Sequence, residues 1–580
     1  MKILFFAPHA AIWIHAFPEA LIAEAATQHG HEIMYVSCGG LLRSHCVSMS
    51  GYGVPFEASD SAKEGVCRSC RQNEAVLRKR FGFLGPDLVD VADGDDLSLA
   101  SRIASGVTQE NYLDLRVDNL EVGKIALYEL ALQSKKSTLT FSPGEWQRYL
   151  ASVKNVIVVL RAAQRMLAEF RPDRVVVYNA LYSVNRVVCR LAQLNDIPQY
   201  FLHAGDNLSK RLSTLILSRN DAFSYCMYLR EKWTEVRDRP CPAPAMESAT
   251  NHFLEVVKGR SLWAYSTSPN RGVDLKGVFG IAPDQKVISA TLSSDDERSS
   301  GEIIGVVHPT PNLIYPKQLD WVKALIAYVD GRPDLSLIVR VHPREFPNKR
   351  DGMLSEHASM LKAALASLPV NVRVNWPTDN ISLYDLANIT DVFTNSWSNA
   401  GKEMALLGLP VVLYSRELVF YPADLNYAGT TEAEYFSNLE QALRDGWSPE
   451  RIRKVYRWCA MEYGYAALDI SESFSRSEYR SIIVRAWSRL LRSVRSSSEQ
   501  EADCRDRAAR LRSSQRINAV LSNQLSTSVD LDVFDVTVSE AEEAQHLKRE
   551  VRRLVAGLYG ETGEPRPRSL EHKLRTFCDS

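Results

Sequence analysis

The 580-residue chain predicts an α/β protein, with two parallel-sheet halves followed by a mostly helical C-terminal extension. Three observations predict it. Apolar runs of strand length alternate with helical stretches in two separate series. A Pro-, Ser-, Asn- and Gly-rich segment without clean periodicity, residues 236–275, divides the two series. Beyond about residue 437 the pattern turns mostly helical.

The first series opens with KILFFA (Lys2–Ala7), a strand. Phe17–Gly30 follows as a helix with Pro near its start and Gly at its end, and EIMYVS (Glu32–Ser37) is a second strand. Strand, helix and strand in so short a span make a right-handed crossover between parallel neighbours. The signal recurs as helix 155–170, strand RVVVY (Arg174–Tyr178), helix 185–195 and strand PQYFLH (Pro198–His203). The second series has strands at 286–291, 336–341, 371–374, 391–394 and 410–414, with helices at 317–330, 381–388 and 401–408. The expected domains are 1–265, 266–437, a helical segment 438–495 packing back on both, and a charged appendage 496–580. Within that appendage Val529–Val538 alternates like an edge strand. Ala544, Leu547, Val551, Leu554 and Leu558 follow 3–4 spacing.

Composition excludes several functions. Hydrophobic residues make up 45% and charged residues 24%, an ordinary globular balance. Lys plus Arg number 69 against 70 Asp plus Glu, so no global basic field exists to hold nucleic acid, and an anionic ligand must be caught locally. No apolar run reaches membrane-spanning length. Pro8-His9 and His15 interrupt the N-terminal apolar stretch, which carries no small-residue cleavage site. The expected location is the cytoplasm, with peripheral attachment at the inner membrane face as an extension of that reading.

The densest chemical signal lies between Arg340 and Tyr414. His342, flanked by Arg340 and Arg344, follows a buried strand, and ligands of parallel sheets bind at carboxyl ends of strands. The polar loop Asn395–Asn399 then leads from strand to helix, where hydroxyls and free N–H groups can hold an anion. Ser396, Ser398 and Asn399 are placed for that, Gly401 permits close approach of a ligand, and Glu403, on the first turn, faces a site that could hold ribose hydroxyls. An ordinary helix cap by Ser398 or Asn399 is the alternative. For a catalytic base the candidates are His15, after the first strand, and His203 and Asp206 in His-Ala-Gly-Asp at a later strand end, with Gly205 allowing a tight turn. Asp295-Asp-Glu297 either binds donor or is solvated.

VRVHPRE and NISLYDLANITDVFTNSWSNAGKEMALLGLPVV resemble the nucleotide-binding half of GT-B glycosyltransferases. The similarity is greatest to the bacterial capsule and surface-polysaccharide group that includes Kdo transferases. A His-Pro pair, and a Ser-rich loop before a helix ending in Gly-x-Pro-Val, also mark bacterial sialyltransferases and polyglycerol-phosphate transferases. The match covers roughly residues 280–430; the N-terminal half matches only in overall pattern. It implies a GT-B architecture of two Rossmann-like domains facing a cleft. It also implies that His342 and the Ser396–Ser398 loop hold a nucleotide phosphate, with Glu403 near the ribose. A helix N-terminus, serine hydroxyls and a protonated His would stabilise the departing phosphate without a metal. The expected reaction is inverting transfer from a nucleotide sugar, CMP-Kdo first among donors, to a glycan or lipid-linked acceptor. A CDP-glycerol or CDP-ribitol transferase, a nucleotide-sugar 2-epimerase and a non-catalytic scaffold are the alternatives.

Two features stand apart. Cys38, Cys46 and the Cys67-x-x-Cys70 pair form a Cys-rich loop that reads as a structural zinc site, with buried reduced thiols as the alternative. Phe474–Arg495 carries six Arg and one Glu among apolar residues, and either lies on anionic lipid or packs with its Arg face solvated. With residues 496–580 it is the candidate contact for a membrane or a partner protein.

Overall fold

The computed structural model describes residues 1–220, 223–270, 273–473, 513–529, 537–561 and 568–580. The Arg-rich stretch 474–495 lies outside them, as does most of the candidate edge strand 529–538.

The N-terminal half holds six strands: β1 (Lys2–Phe6), β2 (Glu32–Val36), β3 (Arg174–Tyr178), β4 (Gln199–Ala204), β5 (Thr214–Arg219) and β11 (Leu468–Asp469). Their order is β11-β5-β4-β3-β1-β2, parallel from β2 to β4 and antiparallel at β4–β5 and β5–β11. Residue alternation divides the core between the two faces. Leu4, Phe6, Val175 and Val177 join the helix Pro143–Phe170. Ile3, Phe5, Val176 and Leu202 join the helix Trp13–Gln28.

Five parallel strands make the second sheet: β6 (Lys286–Thr291), β7 (Leu335–Arg340), β8 (Val372–Asn375), β9 (Val392–Asn395) and β10 (Val411–Leu413), ordered β10-β9-β6-β7-β8. Every strand expected in this half is present within about two residues. Ile288, Leu337 and Val339 pack on the helix Gln318–Val329, while Val287, Ile338 and Phe393 face the helix Pro449–Ala460.

Three differences from the sequence reading have physical causes. The first helix begins at Trp13 rather than Phe17 and holds Pro18 inside it, because the Ile12 carbonyl already accepts from the His15 and Ala16 N–H groups. The helix expected at 155–170 begins at Pro143, where Ser142 and Glu145 form a reciprocal capping box with Pro in the first turn. The segment 236–275 is not wholly irregular. Ala243–Lys258 is a helix whose Ala245, Met246, Ala249, Phe253, Val256 and Val257 are buried at 3–4 spacing.

The C-terminal residues strap the two halves together. The helix Ser514–Leu521 lies on the N-terminal core, and Ser528 N–H donates to the Leu217 carbonyl (2.7 Å) on β5. The helix Glu540–Tyr559 returns to the other half and buries Leu547, Val551, Leu554 and Leu558 against the helix Ala243–Lys258. Its Glu543 is fully buried, accepting two bonds of 2.7 Å from Arg457 and one of 2.8 Å from Cys241 N–H. Among the described residues, no helix is long and apolar enough to cross a membrane.

Candidate functional site

In the second sheet the chain runs outward from β6 to β8 and then returns to β9 on the other side. The crevice beyond the ends of β6, β7 and β9 is therefore a topological switch point. Arg340 ends β7. Its guanidinium donates to the Asn375 side chain and to the Ile381 carbonyl (2.8 Å). Burial lowers it to about 10 against the opposing pull of Asp385, Glu403 and Asp379, so it remains a cation at neutral pH. Glu403 accepts from the Tyr384 hydroxyl (2.9 Å), and burial raises its carboxyl.

His342 departs from the protonated state expected of it. Burial, then the neighbouring cations Arg344, Arg340, Lys135 and Arg350, push it down to about 3, so the imidazole is neutral. Its Nδ1 accepts the Arg344 N–H (3.2 Å), which leaves the proton on Nε2. The site thus holds an imidazole N–H donor and a separate fixed guanidinium.

Arg344 is engaged within the protein. Its Nε and one terminal nitrogen fork onto Asp296 at 2.9 and 2.6 Å, and the other terminal nitrogen donates to the Tyr265 hydroxyl at 2.6 Å. Both ends of the ion pair are buried. Within the Asp295–Glu297 triplet only Asp296 is buried and committed to Arg344; Asp295 is partly exposed, and Glu297 is exposed although it lies 3.3 Å from Arg344.

The loop after β9 is tied down in the same way. Ser396 is fully buried and donates to the Ser293 hydroxyl (2.6 Å), joining the ends of β9 and β6. Ser398 donates to the Asn395 side chain (3.1 Å) and accepts from Ala400 N–H (3.2 Å). A Cβ on Gly401 would sit 2.1 Å from the Tyr421 hydroxyl, so this glycine admits a protein side chain. Asn399 caps the helix Ala400–Leu406 with its backbone alone, leaving its exposed side chain open.

In the N-terminal half the switch point lies between β1 and β3. His15 stacks on Tyr178 at 4.6 Å, and His203 stacks on Phe201 at 5.7 Å with Tyr178 also beside it. Burial lowers His15 to about 3, helped by His203, Arg211 and His9; burial and Arg211 lower His203 to about 4. His203 Nδ1 is 3.0 Å from the Ala204 carbonyl, which can only accept, so the lone pair is on Nε2. Asp206 accepts from the Tyr225 hydroxyl and lies 3.8 Å from Arg211. A Cβ on Gly205 would meet Thr214 Oγ1 at 2.1 Å, which explains the tight turn there.

Sequence reasoning missed a buried ion pair beside the turn after β4, where Asn207 donates to the Tyr463 carbonyl (2.9 Å). Lys402 and Glu462 form a buried ion pair at 2.6 Å, and both feel the charge of Asp206. Burial opposes the Lys402 charge, but Glu462 outweighs it and holds the ammonium in place. Glu462 lies in a π-helical turn, Met461–Tyr465, a distortion often found at functional sites. Neighbours His252 and Tyr463 stack at 3.7 Å. Lys402 was legible only as the polar first-turn partner of Glu403, and nothing local marks Glu462.

The zinc reading of the cysteines is not supported. Among the described residues, no group of three or more His, Cys, Asp or Glu side chains is arranged to hold a metal ion. Cys38, Cys46, Cys67 and Cys70 are free and lie in apolar surroundings. Burial raises all four thiols, Cys38 to about 11 and Cys46 to about 12.

No family model and no curated protein sequence matches the chain. Among solved structures it is similar to KpsC, a β-Kdo 2,4 transferase of Thermosulfurimonas dismutans. The identity is 16% over 49% of this chain and 78% of that one, with a TM-score of 0.32. It is similar to a UDP-GlcNAc 2-epimerase from Neisseria meningitidis at 12% identity, over 79% of this chain and 94% of that one, with a TM-score of 0.24. The glycosyltransferase SnogD from Streptomyces nogalater aligns at 14% identity, over 80% and 95%, with a TM-score of 0.22.

Proposed function

We propose that the chain is a nucleotide-sugar-dependent glycosyltransferase whose donor lies at the β6–β9 crevice and whose acceptor lies at the β1–β3 crevice. The observation that supports this reading is that the turn after β4 touches the segment that holds Lys402: Asn207, next to Asp206, donates to the Tyr463 carbonyl (2.9 Å), and the adjoining Glu462 pairs with Lys402 at 2.6 Å. Arg340 and the Nε2–H of His342 stabilise the departing phosphate, and Glu403 accepts from ribose hydroxyls. A neutral His342 suits that role, because it donates a hydrogen bond without first needing a proton.

The acceptor hydroxyl requires a base. His15 and His203 are both neutral imidazoles with Tyr178 beside them, and His203 offers its Nε2 lone pair. Asp206, held by Tyr225 and Arg211, orients the charge around them. The finer reading is inverting, metal-independent transfer from a CMP-linked acidic sugar such as CMP-Kdo into a bacterial surface glycan. Nucleotide binding lost in His342→Ala, and transfer lost in His203→Ala with nucleotide binding kept, is the expected pair of results. Nucleotide affinity unchanged by His342→Ala would reject the assignment.

A further inference from the structure

Lys135 belongs to the N-terminal half, yet its side chain ends in the other one. It follows the helix Tyr128–Ser134, and its ammonium crosses to the turn after β7. There it donates to the Arg344 carbonyl (2.5 Å), to Asp351 (2.7 Å) and to the Met353 carbonyl (3.5 Å), so each of its three N–H bonds has an acceptor. The Lys135 side chain is 1% exposed. A desolvated ammonium needs a counter-charge and full hydrogen bonding, and residues 344–353 supply both.

The backbone adds a second, independent observation. Lys135 ends its helix in the left-handed region (φ 51°, ψ 41°), where glycine or asparagine is the ordinary occupant. The fold therefore carries a lysine here against a backbone cost. The next residues extend the grip. Ser137 N–H (2.9 Å), Thr138 N–H (3.0 Å) and the Thr138 hydroxyl (2.6 Å) all donate to Glu356, at the start of the helix Glu356–Ala364. Arg344 reaches back and donates to the Leu132 carbonyl (3.4 Å). Residues 344–356 are thus held at both ends by the N-terminal half.

This hold governs one hydrogen bond at the candidate site. Arg344 presents its carbonyl to Lys135 and its N–H to His342 Nδ1 (3.2 Å). Fixing the Arg344 backbone keeps that N–H aimed at the ring, which then carries its proton on Nε2; without it the ring can carry the proton on either nitrogen. We propose that Lys135 is a positioning residue for His342, acting across the two halves through the Arg344 backbone to keep the imidazole in its Nε2–H tautomer. The inference rests on the transferase reading for the use of that N–H on a phosphate, and on the geometry alone for the positioning.

The test is solid-state NMR on the full chain isotope-labelled at histidine, with His342→Ala identifying the His342 signals by difference. Lys135→Gly removes the side chain and keeps the left-handed turn, which glycine adopts without strain. Wild type should show His342 as the Nε2–H tautomer alone, and Lys135→Gly should show both tautomers. Calorimetry with CMP, CDP, UDP and GDP should find the nucleotide that wild type binds held at least tenfold more weakly by the variant. Lys135→Met/Asp351→Asn removes both charges, keeps the volume and decides the matter if Lys135→Gly does not fold. The Nε2–H tautomer alone, or wild-type nucleotide affinity, in the folded variants overturns the proposal. A tautomer change in the variants with no nucleotide bound by wild type would instead overturn the transferase reading and leave the positioning role standing.

Discussion

Replacing Arg344 separates a structural clamp from a phosphate ligand. In the structure its side chain is 8% exposed and that of Asp296 is 4% exposed, with the fork closed at 2.6 and 2.9 Å. Arg344→Met leaves a buried carboxylate unpaired and costs about 3–5 kcal/mol. For a half of this size that is a fall of roughly 10 °C in Tm. Tyr265 keeps a second donor, Arg350 at 2.8 Å, so its hydroxyl adds little to the loss. The double variant Asp296→Leu/Arg344→Met removes both charges and recovers most of the stability, because a buried pair exchanged for apolar volume is often near neutral. Urea titration of wild type and both variants measures this, with nucleotide affinity read on the double variant. A single variant costing under about 1 kcal/mol, or a double variant as unstable as the single, would refute the clamp. A stable double variant that no longer binds nucleotide would make Arg344 a ligand after all.

Three further outcomes are expected. Gly401→Ala drives a methyl to 2.1 Å from the Tyr421 hydroxyl and should cost about 1–3 kcal/mol, with Tyr421→Phe restoring part of it; an unchanged urea midpoint contradicts the crowding. His9, His15, His45, His203 and His342 all have lowered values, near 3 or 4. The unfolded chain therefore takes up protons first, and stability that is full above about pH 6.5 falls as pH drops toward 4. A urea midpoint flat across that window would contradict it. Cys38 and Cys46, raised to about 11 and 12, should resist thiol reagents at pH 8 until the chain is unfolded, whereas rapid labelling of the native protein would reject their burial.

The second half was the more legible one because its strands are buried on both faces and read as continuous apolar runs, LSLIVR and VVL among them. The helix Ala243–Lys258 was hidden by its Pro, Ser and Asn content, although its buried positions keep helical spacing. β5 escaped notice because it pairs antiparallel with β4 and with β11, a segment far along the chain. For the candidate site, strand ends located His342, Arg340 and His203, whereas His15, expected in the loop after the first strand, lies in the first turn of the helix Trp13–Gln28. Sequence could not show that Ser396, Ser398 and Arg344 are engaged by Ser293, Asn395 and Asp296 respectively. It could not show the meeting of Lys402 with Glu462 either, which depends on the return of the chain from one half to the other.

The most direct test of the donor site is a thermal-shift panel of CMP, CDP, UDP and GDP on wild type and His342→Ala. A nucleotide at 100 times its Kd stabilises the native state by about 2.7 kcal/mol, a readable shift. The account predicts that one nucleotide raises the Tm of wild type and leaves His342→Ala unmoved. Equal shifts in both proteins, or no shift with any of the four, would contradict it.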